Sequence, residues 1–170
     1  MTGAAPLPYR IACLCELRNA RGEVLLIHRA KAPNQGLYSP IGGKLDTEVG
    51  ESPARCAQRE IEEEAGVSIP MSRLTLSGII SEAGFDDQMH WLMFWYRVEG
   101  AVEVEPHEMR EGRLEWHPLE SVPSLALPRT DREAIWPTVI AHEGGFFTLH
   151  IDCTGGGLRW QVEESRPAGA

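Results

Sequence analysis

The chain has 170 residues, a formal net charge of −9 and a hydrophobic content of 42%, which is typical of a globular protein. The negative charge argues against a nucleic-acid-binding protein, because such proteins neutralise backbone phosphates with a basic surface. We find no apolar run of the roughly 18–20 residues that a membrane-spanning helix needs, and no signal peptide. We therefore expect one cytoplasmic domain over residues 1–170 that binds neither nucleic acid nor membrane.

The first third of the chain predicts two strands, a loop and a helix. Residues 9–18 and 23–30 alternate as strands do and flank the turn sequence NARG. The Gly- and Pro-rich stretch 31–51 is predicted as a loop. A helix follows from Ser52 to about Ala65, with Ser52 as its N-cap, Pro53 at its first position and Gly66 ending it.

The remainder predicts more strands and a second helix. The segment 128–145 is expected to be helical despite its internal Pro137. The predicted strands are residues 73–80 and 90–100, a short strand within 112–122, and a C-terminal hairpin of residues 146–152 and 158–164. Strands on both sides of a strong helix favour a mixed α/β or α+β sandwich.

Four glutamates crowd the end of the first helix, in the sequence REIEEEAG. At about 100° per residue, Glu60, Glu63 and Glu64 share one face, whereas Glu62 lies on the solvated face. Negative charge near a helix C-terminus is disfavoured by roughly 0.3–1 kcal/mol per residue. Two interpretations stay open on geometry alone. One is a solvated, charge-rich helix end, and the other is a site for Mg²⁺ or Mn²⁺, which prefer carboxylate oxygens.

The surrounding sequence GGKLDTEVGESPARCAQREIEEEAGV, residues 42–67, resembles the signature of the Nudix hydrolases, G-x5-E-x7-R-E-U-x-E-E-x-G-U, where U is bulky and apolar. Every fixed position from Glu51 to Val67 matches. The loop differs, because seven residues separate Gly43 from Glu51 where the signature has five. The resemblance therefore covers the acidic helix in full and leaves a two-residue insertion in the loop before it.

The resemblance implies a fold and a reaction. The fold would be the Nudix α/β/α sandwich around a central mixed β-sheet, over roughly residues 9–163. The reaction would be hydrolysis of a nucleoside diphosphate linked to another group, by metal-activated water. By similarity, Glu60, Glu63 and Glu64 would hold Mg²⁺, or Mn²⁺ as the alternative, with the Gly42 carbonyl as a further ligand. Glu60 and Glu63 are the candidates for accepting the proton of the attacking water.

Two further roles follow from the same resemblance. A salt bridge between Glu51 and Arg59 would tie the loop to the helix. Family members also add a metal-binding glutamate from a later loop, a few residues before a tryptophan. Glu111 is the preferred candidate before Trp116, and Glu108 is the alternative.

Candidate substrate contacts lie outside the acidic helix. Lys44 would reach a phosphate, although a solvated loop lysine is the competing interpretation. Tyr38, just before the motif, is the candidate exposed aromatic ring. Asp131 would read a base, by a loose resemblance of residues 121–137 to MutT-type enzymes, and a structural Asp at a helix N-terminus is the alternative.

The sequence thus predicts a Mg²⁺-dependent Nudix pyrophosphohydrolase with a small nucleotide substrate. An ordinary or oxidised nucleoside triphosphate, cleaved to monophosphate and pyrophosphate, is the first choice. ADP-ribose, nucleotide sugars and dinucleoside polyphosphates are alternatives. A catalytically silent nucleotide-binding regulator is the alternative of another class, although such proteins usually lose acidic positions that this chain retains. A homodimer is left open.

Overall fold

The computed structural model describes residues 6–169 and is organised around an eight-stranded sheet in the order β6-β2-β3-β1-β5-β4-β7-β8. Neighbouring strands are antiparallel except for the pairs β1–β5 and β4–β7, which are parallel. The sheet is therefore mixed, as predicted. The strands are β1 Tyr9–Glu16, β2 Val24–Arg29, β3 Tyr38–Lys44, β4 Leu74–Phe85, β5 Met89–Val98, β6 Gly112–His117, β7 Phe146–Asp152 and β8 Arg159–Arg166.

Helical segments cover both faces of this sheet. Helix α1, Pro53–Ala65, packs on one face, and helix α2, Trp136–Ala141, with the turns before it packs on the other. Short 3₁₀ turns lie at Met71–Arg73, Leu119–Ser124 and Thr154–Gly156. No helix between residues 6 and 169 is long and apolar enough to cross a membrane.

Strand β1 shows how the sheet feeds two cores. Ala12 and Leu14 pack with the α2 side, whereas Cys13 and Cys15 pack with α1. Successive side chains of a strand point to opposite faces, so each face of the central strand contributes to a different core. The two cores together make the α/β/α sandwich that the sequence predicted.

Strand β3 corrects the sequence prediction, which placed residues 31–51 in a loop. Tyr38–Lys44 pairs with β2 on one side and with β1 on the other. Its sequence YSPIGGK contains a proline, which has no N–H, and two glycines, and both residue types are typical of loops. Tertiary pairing overrides that local preference. Strand β4 also continues to Phe85, five residues beyond its predicted end.

The late helix is shorter than predicted and irregular. Asp131–Ile135 form a π-helical turn, and α2 begins at Trp136 with Pro137 in its first turn. Pro137 has no N–H to continue the hydrogen bonds of the π-helical turn, so the helical hydrogen-bonding pattern changes from π to α near the proline. Trp136 is fully buried, and its ring meets that of Trp95 edge-on at 5.1 Å between centroids. The segment is thus held by packing rather than by regular helix geometry.

The ends of α1 agree with the predicted caps. The Ser52 hydroxyl accepts a hydrogen bond from the backbone N–H of Arg55, and Gly66 adopts a left-handed conformation at φ 70°. The Gly66 N–H donates to the carbonyl of Glu62, which closes the last turn.

We predict that Gly66→Ala lowers the free energy of unfolding by about 1 kcal/mol, because an L side chain disfavours this conformation. Apart from the chain neighbours, no atom of the described residues lies within 4 Å of the added Cβ, so the loss reports backbone conformation. Gly66→Asn should lose less, since asparagine tolerates left-handed geometry. Urea unfolding of the three proteins measures this. An equal loss in both variants would contradict the explanation.

Candidate active site

The C-terminal end of β3 lies directly against the acidic face of α1. The backbone N–H of Gly42 donates to a carboxylate oxygen of Glu64 at 2.8 Å. A Cβ placed on Gly43 would overlap the carboxylate of Glu60. Gly43 therefore lets the strand backbone approach Glu60 more closely than a residue with a side chain would, whereas a Cβ on Gly42 would overlap the backbone of Cys13 in β1.

The acidic face divides into a buried and an exposed part. Glu60 and Glu64 are 9% and 8% exposed, whereas Glu63 and Glu62 are exposed to solvent. Burial raises the pKa of Glu60, and it raises the pKa of Glu64 to about 8, with the charge of Glu60 adding in the same direction. The predicted solvent-facing position of Glu62 is confirmed, and Glu63 occupies the rim of the site.

Arg59 supplies the positive charge for this cluster. Its Nε and Nη2 each donate to one oxygen of Glu51 at 2.9 Å, which is the bridge that the resemblance implied. Its Nη1 donates to Glu60 at 2.6 Å and lies 3.3 Å from Glu63. Charge-assisted bidentate pairs of this kind are the stronger class of hydrogen bond. One guanidinium thus connects the loop to both parts of the acidic face.

The loop with the two-residue insertion closes on the same glutamate. The backbone N–H of Asp46 donates to the Glu51 carboxylate, and the Glu51 N–H donates to the Asp46 carbonyl, both at 2.9 Å. Residues 47–50 form a turn between these two positions. The Arg59 side chain is the main cause that lowers the pKa of Glu51 to about 2.

The donors at this junction suit a hard divalent cation. Two buried carboxylates that repel each other would be stabilised by Mg²⁺ or Mn²⁺, which take oxygen ligands. As the side chains stand, no three His, Cys, Asp or Glu residues within 6–169 are arranged to hold a metal ion. Arg59 holds Glu60 and Glu63, so a cation bound there would replace at least one of these ion pairs.

A fourth acid lies near the buried pair. The charge of Glu111 contributes to the raised pKa of Glu64, and the Glu111 carbonyl accepts the N–H of Ala30 at 2.9 Å, just after β2. Glu108 is exposed, and its backbone forms an isolated antiparallel β-bridge with Arg113. Of the two candidates, Glu111 has an electrostatic contact with the acidic face.

A cavity of about 330 Å³ begins at the two glycines and extends across the sheet face that α2 covers. This volume is near the lower end of the range for small-molecule sites. Lys44 lies at its wall with Nζ 6.0 Å from the centre of the Trp91 ring. The residues that line the cavity include Gly42, Gly43, Lys44, Glu82, Trp91 and Asp131. A larger groove of about 630 Å³ follows the outer surface of α1. Neither Glu60 nor Glu64 lines this groove or the cavity.

The predicted substrate contacts are distributed unevenly around this cavity. Lys44 and Asp131 line it, whereas Tyr38 does not. The Tyr38 ring stacks on His28 with centroids 4.6 Å apart, and its hydroxyl donates to Glu115 at 2.9 Å. Tyr38 is therefore a partly buried ring engaged with other side chains rather than the exposed ring that was predicted.

Sequence reasoning missed Glu82, which is 4% exposed and lines the cavity from β4. Ile80 and Glu82 occupy alternate positions of a strand, so their side chains point to the same face. The sequence therefore contained a signal for Glu82, because an acid on the same strand face as the apolar Ile80 is expected to point inward.

Comparison with known proteins gives consistent results. A family model described as the NUDIX domain matches residues 8–137. The NAD-capped RNA hydrolase NudC of Stutzerimonas stutzeri is 32% identical over 62% of this chain, and an uncharacterized Nudix hydrolase, YvcI of Bacillus subtilis, is 29% identical over 64%. The matched part spans only 36% and 66% of those relatives.

A solved structure, the MutT protein from Bacillus halodurans, superposes with a TM-score of 0.73 at 23% identity. The superposition covers 91% of this chain and 97% of that one. It supports the same sandwich fold.

We predict that Glu51→Gln lowers the free energy of unfolding at pH 7 by about 1–3 kcal/mol, because Arg59 loses a charged hydrogen-bond partner. The pKa of Glu51 is lowered in the folded state, so its stabilisation is present above its ordinary pKa of 4.5 and is lost as pH falls toward about 2. The variant should therefore lose less stability than the wild type across that interval. Urea unfolding at several pH values measures this.

Glu48→Gln is the matched control, since Glu48 is an exposed acid of the same loop. It should leave both the stability and its pH dependence unchanged. A Glu51→Gln protein as stable as this control would contradict the anchoring role of the bridge.

Proposed function

The chain belongs to the Nudix family, and we propose that it is a divalent-metal-dependent hydrolase of a phosphoanhydride bond in a small nucleotide. Members of the family act on acid anhydrides as pyrophosphatases. The observation that carries the proposal is the contact of Gly42 and Gly43 with the buried Glu64 and Glu60, at two residues that also line the cavity. We propose that residues 1–170 act as a single Nudix domain.

In this proposal Mg²⁺, or Mn²⁺, is held by Glu60, Glu63 and Glu64, with the Gly42 carbonyl and Glu111 as further ligands. When bound, such a metal neutralises phosphate charge and activates water. Gly42 orients Glu64 through its N–H, and Gly43 leaves Glu60 unobstructed. Glu60 and Glu63 are the proposed acceptors of the water proton, and the exposed position of Glu63 makes its carboxylate accessible to water.

The cavity supports one orientation of the substrate. The phosphates would lie at the glycines, where Lys44 adds a positive charge, and the base would extend toward Trp91 and Asp131. An ordinary or oxidised nucleoside triphosphate is the preferred substrate, giving the monophosphate and pyrophosphate. Asp131 is the proposed base-reading residue. Tyr38 receives no support from the cavity as a substrate contact.

Several alternatives follow from the same fold. ADP-ribose, nucleotide sugars and dinucleoside polyphosphates would bind the same acidic junction. One relative acts on NAD-capped RNA, but only 36% of its length is matched, and the charge of −9 disfavours an RNA substrate here. A silent nucleotide-binding regulator is disfavoured because Glu60, Glu63 and Glu64 are all retained. A homodimer and a cytoplasmic location stay predictions.

We predict that Glu64→Gln lowers Mg²⁺-dependent kcat by at least about 100-fold, because it removes a charged ligand from the buried junction. Glu62→Gln, on the solvated face of the same helix, should retain wild-type kcat. Release of phosphate or pyrophosphate gives the rates. The rise in Tm that Mg²⁺ causes in the wild type should also be lost in Glu64→Gln alone.

Equal losses in both variants would indicate a general effect of charge and would overturn the assigned ligand. A wild type that is inactive on every nucleotide with both Mg²⁺ and Mn²⁺ would instead support the silent nucleotide-binding regulator.

A substrate panel separates the alternatives. We expect a preference of at least tenfold in kcat/KM, about 1.4 kcal/mol, for a nucleoside triphosphate over ADP-ribose and diadenosine polyphosphates. NAD-capped RNA and 5′-triphosphate RNA complete the panel, and the charge of the chain predicts that both react slowly. A tenfold preference for any other member would assign the site to that substrate instead.

A further inference from the structure

The two edges of the sheet are covered differently. At the β6 edge the chain before the strand folds back along it, and the N–H of Leu114 donates to the His107 carbonyl at 3.0 Å. At the other edge, β8 pairs with β7 alone, and no other strand within residues 6–169 joins it. The chain after β8 stays beside Gly145, next to β7. Strand β8 is therefore an open edge of eight residues, and the unpaired backbone groups of such an edge can pair with another chain.

The open edge carries an apolar patch on one face. Trp160 and Val162 are 46% and 37% exposed, although both side chains are apolar. Their partners in β7 are Ile151 and Leu149, which belong to the core on the α2 side of the sheet. The apolar surface of that side therefore continues to the open edge, where no other part of the described chain covers it.

The opposite face of β8 carries charges of both signs. Arg159 extends into solvent, with 71% of its side chain exposed, and pairs with Asp152 of β7 at 2.7 Å. Glu163 is the residue that a bulge leaves out of the β7 register, and it is exposed. No ion pair among residues 6–169 includes Glu163. An arginine and an uncompensated glutamate thus lie four positions apart along the edge.

This pattern is complementary to itself when β8 pairs antiparallel with a second copy. Opposed residues orient their backbone groups alike, so the twofold axis passes through a residue, and residues equally distant from it face each other. With the axis at Gln161, Arg159 of each copy faces Glu163 of the other. Trp160 then faces Val162. Moving the axis by one residue in either direction separates the opposite charges, and moving it to Glu163 places two glutamates face to face.

Symmetry doubles each of these matches. Cross-strand pairs of opposite charge, and of an aromatic with a β-branched side chain, stabilise antiparallel strands. Both kinds occur twice about the axis at Gln161. The net charge of −9 on each copy opposes association, and salt screens this long-range repulsion more than the direct contacts.

We propose that β8 is a self-association surface, which pairs antiparallel with β8 of a second copy about an axis at Gln161. The two sheets then form one continuous sheet across a homodimer. The inference does not rest on the proposed function, because no residue of β8 lines the cavity or contacts the acidic face of α1.

The first test is sedimentation of the wild type at protein concentrations from about 10 μM to about 1 mM, since a small interface gives weak association. A monomer–dimer equilibrium is expected. Arg159→Glu and Glu163→Arg should each raise the dimer Kd at least about tenfold, because like charges then face each other. Glu164→Arg is the matched control, an equal charge change at an exposed residue of the same strand that lies outside the paired segment. It should keep the wild-type Kd.

The second test mixes the two charge-reversed variants. In a mixed dimer of Arg159→Glu with Glu163→Arg, each opposed pair again joins a carboxylate to a guanidinium. The equimolar mixture should therefore dimerise with about the wild-type Kd, whereas each variant alone stays monomeric. Arg159→Glu also loses its bridge to Asp152 within the chain, so recovery in the mixture separates the contact between copies from that loss.

Four results would overturn the proposal. They are a wild type that stays monomeric over the whole concentration range, a dimer that neither charge reversal weakens, a Glu164→Arg variant weakened as much as Glu163→Arg, and a mixture that stays monomeric. The Tm of each variant shows whether it is folded. Dimerisation of the mixture would itself demonstrate that both variants are folded.

Discussion

The close approach of β3 to the acidic face of α1 is the constraint on which the site depends. Gly42 and Gly43 bring a strand backbone against Glu60 and Glu64, and the Gly42 N–H holds one of these carboxylates in place. Any side chain at Gly43 would occupy the space of the Glu60 carboxylate. The same two glycines form the inner wall of the cavity. The same two residues therefore contact the acids and line the cavity.

Charge is concentrated at this junction at a cost that the fold offsets in two ways. Arg59 pairs with Glu51, Glu60 and Glu63, so one guanidinium serves three carboxylates. Within residues 6–169 Glu64 forms no ion pair; its carboxylate accepts a backbone N–H, and burial raises its pKa. Removing one member of a partly buried set leaves the others uncompensated. Arg59 and its three carboxylate partners therefore stabilise one another, and Glu51 is the partner that ties the loop to the helix.

Much of the fold and part of the site could be predicted from local signals. The caps at Ser52 and Gly66, the acidic face of α1 and the bridge from Arg59 to Glu51 are all encoded within the sixteen residues from Glu51 to Gly66. Strand β3 was missed because its proline and glycines disfavour a strand locally, whereas pairing on both sides stabilises it. The π-helical turn that carries Asp131 was missed, because Pro137 marks an irregularity in the sequence whereas the burial of Trp136 against Trp95 depends on tertiary packing.

Two pairs of acids, Glu60 with Glu63 and Glu82 with Asp131, differ in the charges that compensate them, and their surroundings explain the difference. Arg59 pairs with both Glu60 and Glu63, and solvent reaches Glu63 at the edge of the site. Glu82 and Asp131 lie deeper, without a basic partner among the described residues, so a proton is the available compensation. A charged phosphate group suits the first environment, and an uncharged, hydrogen-bonding base suits the second.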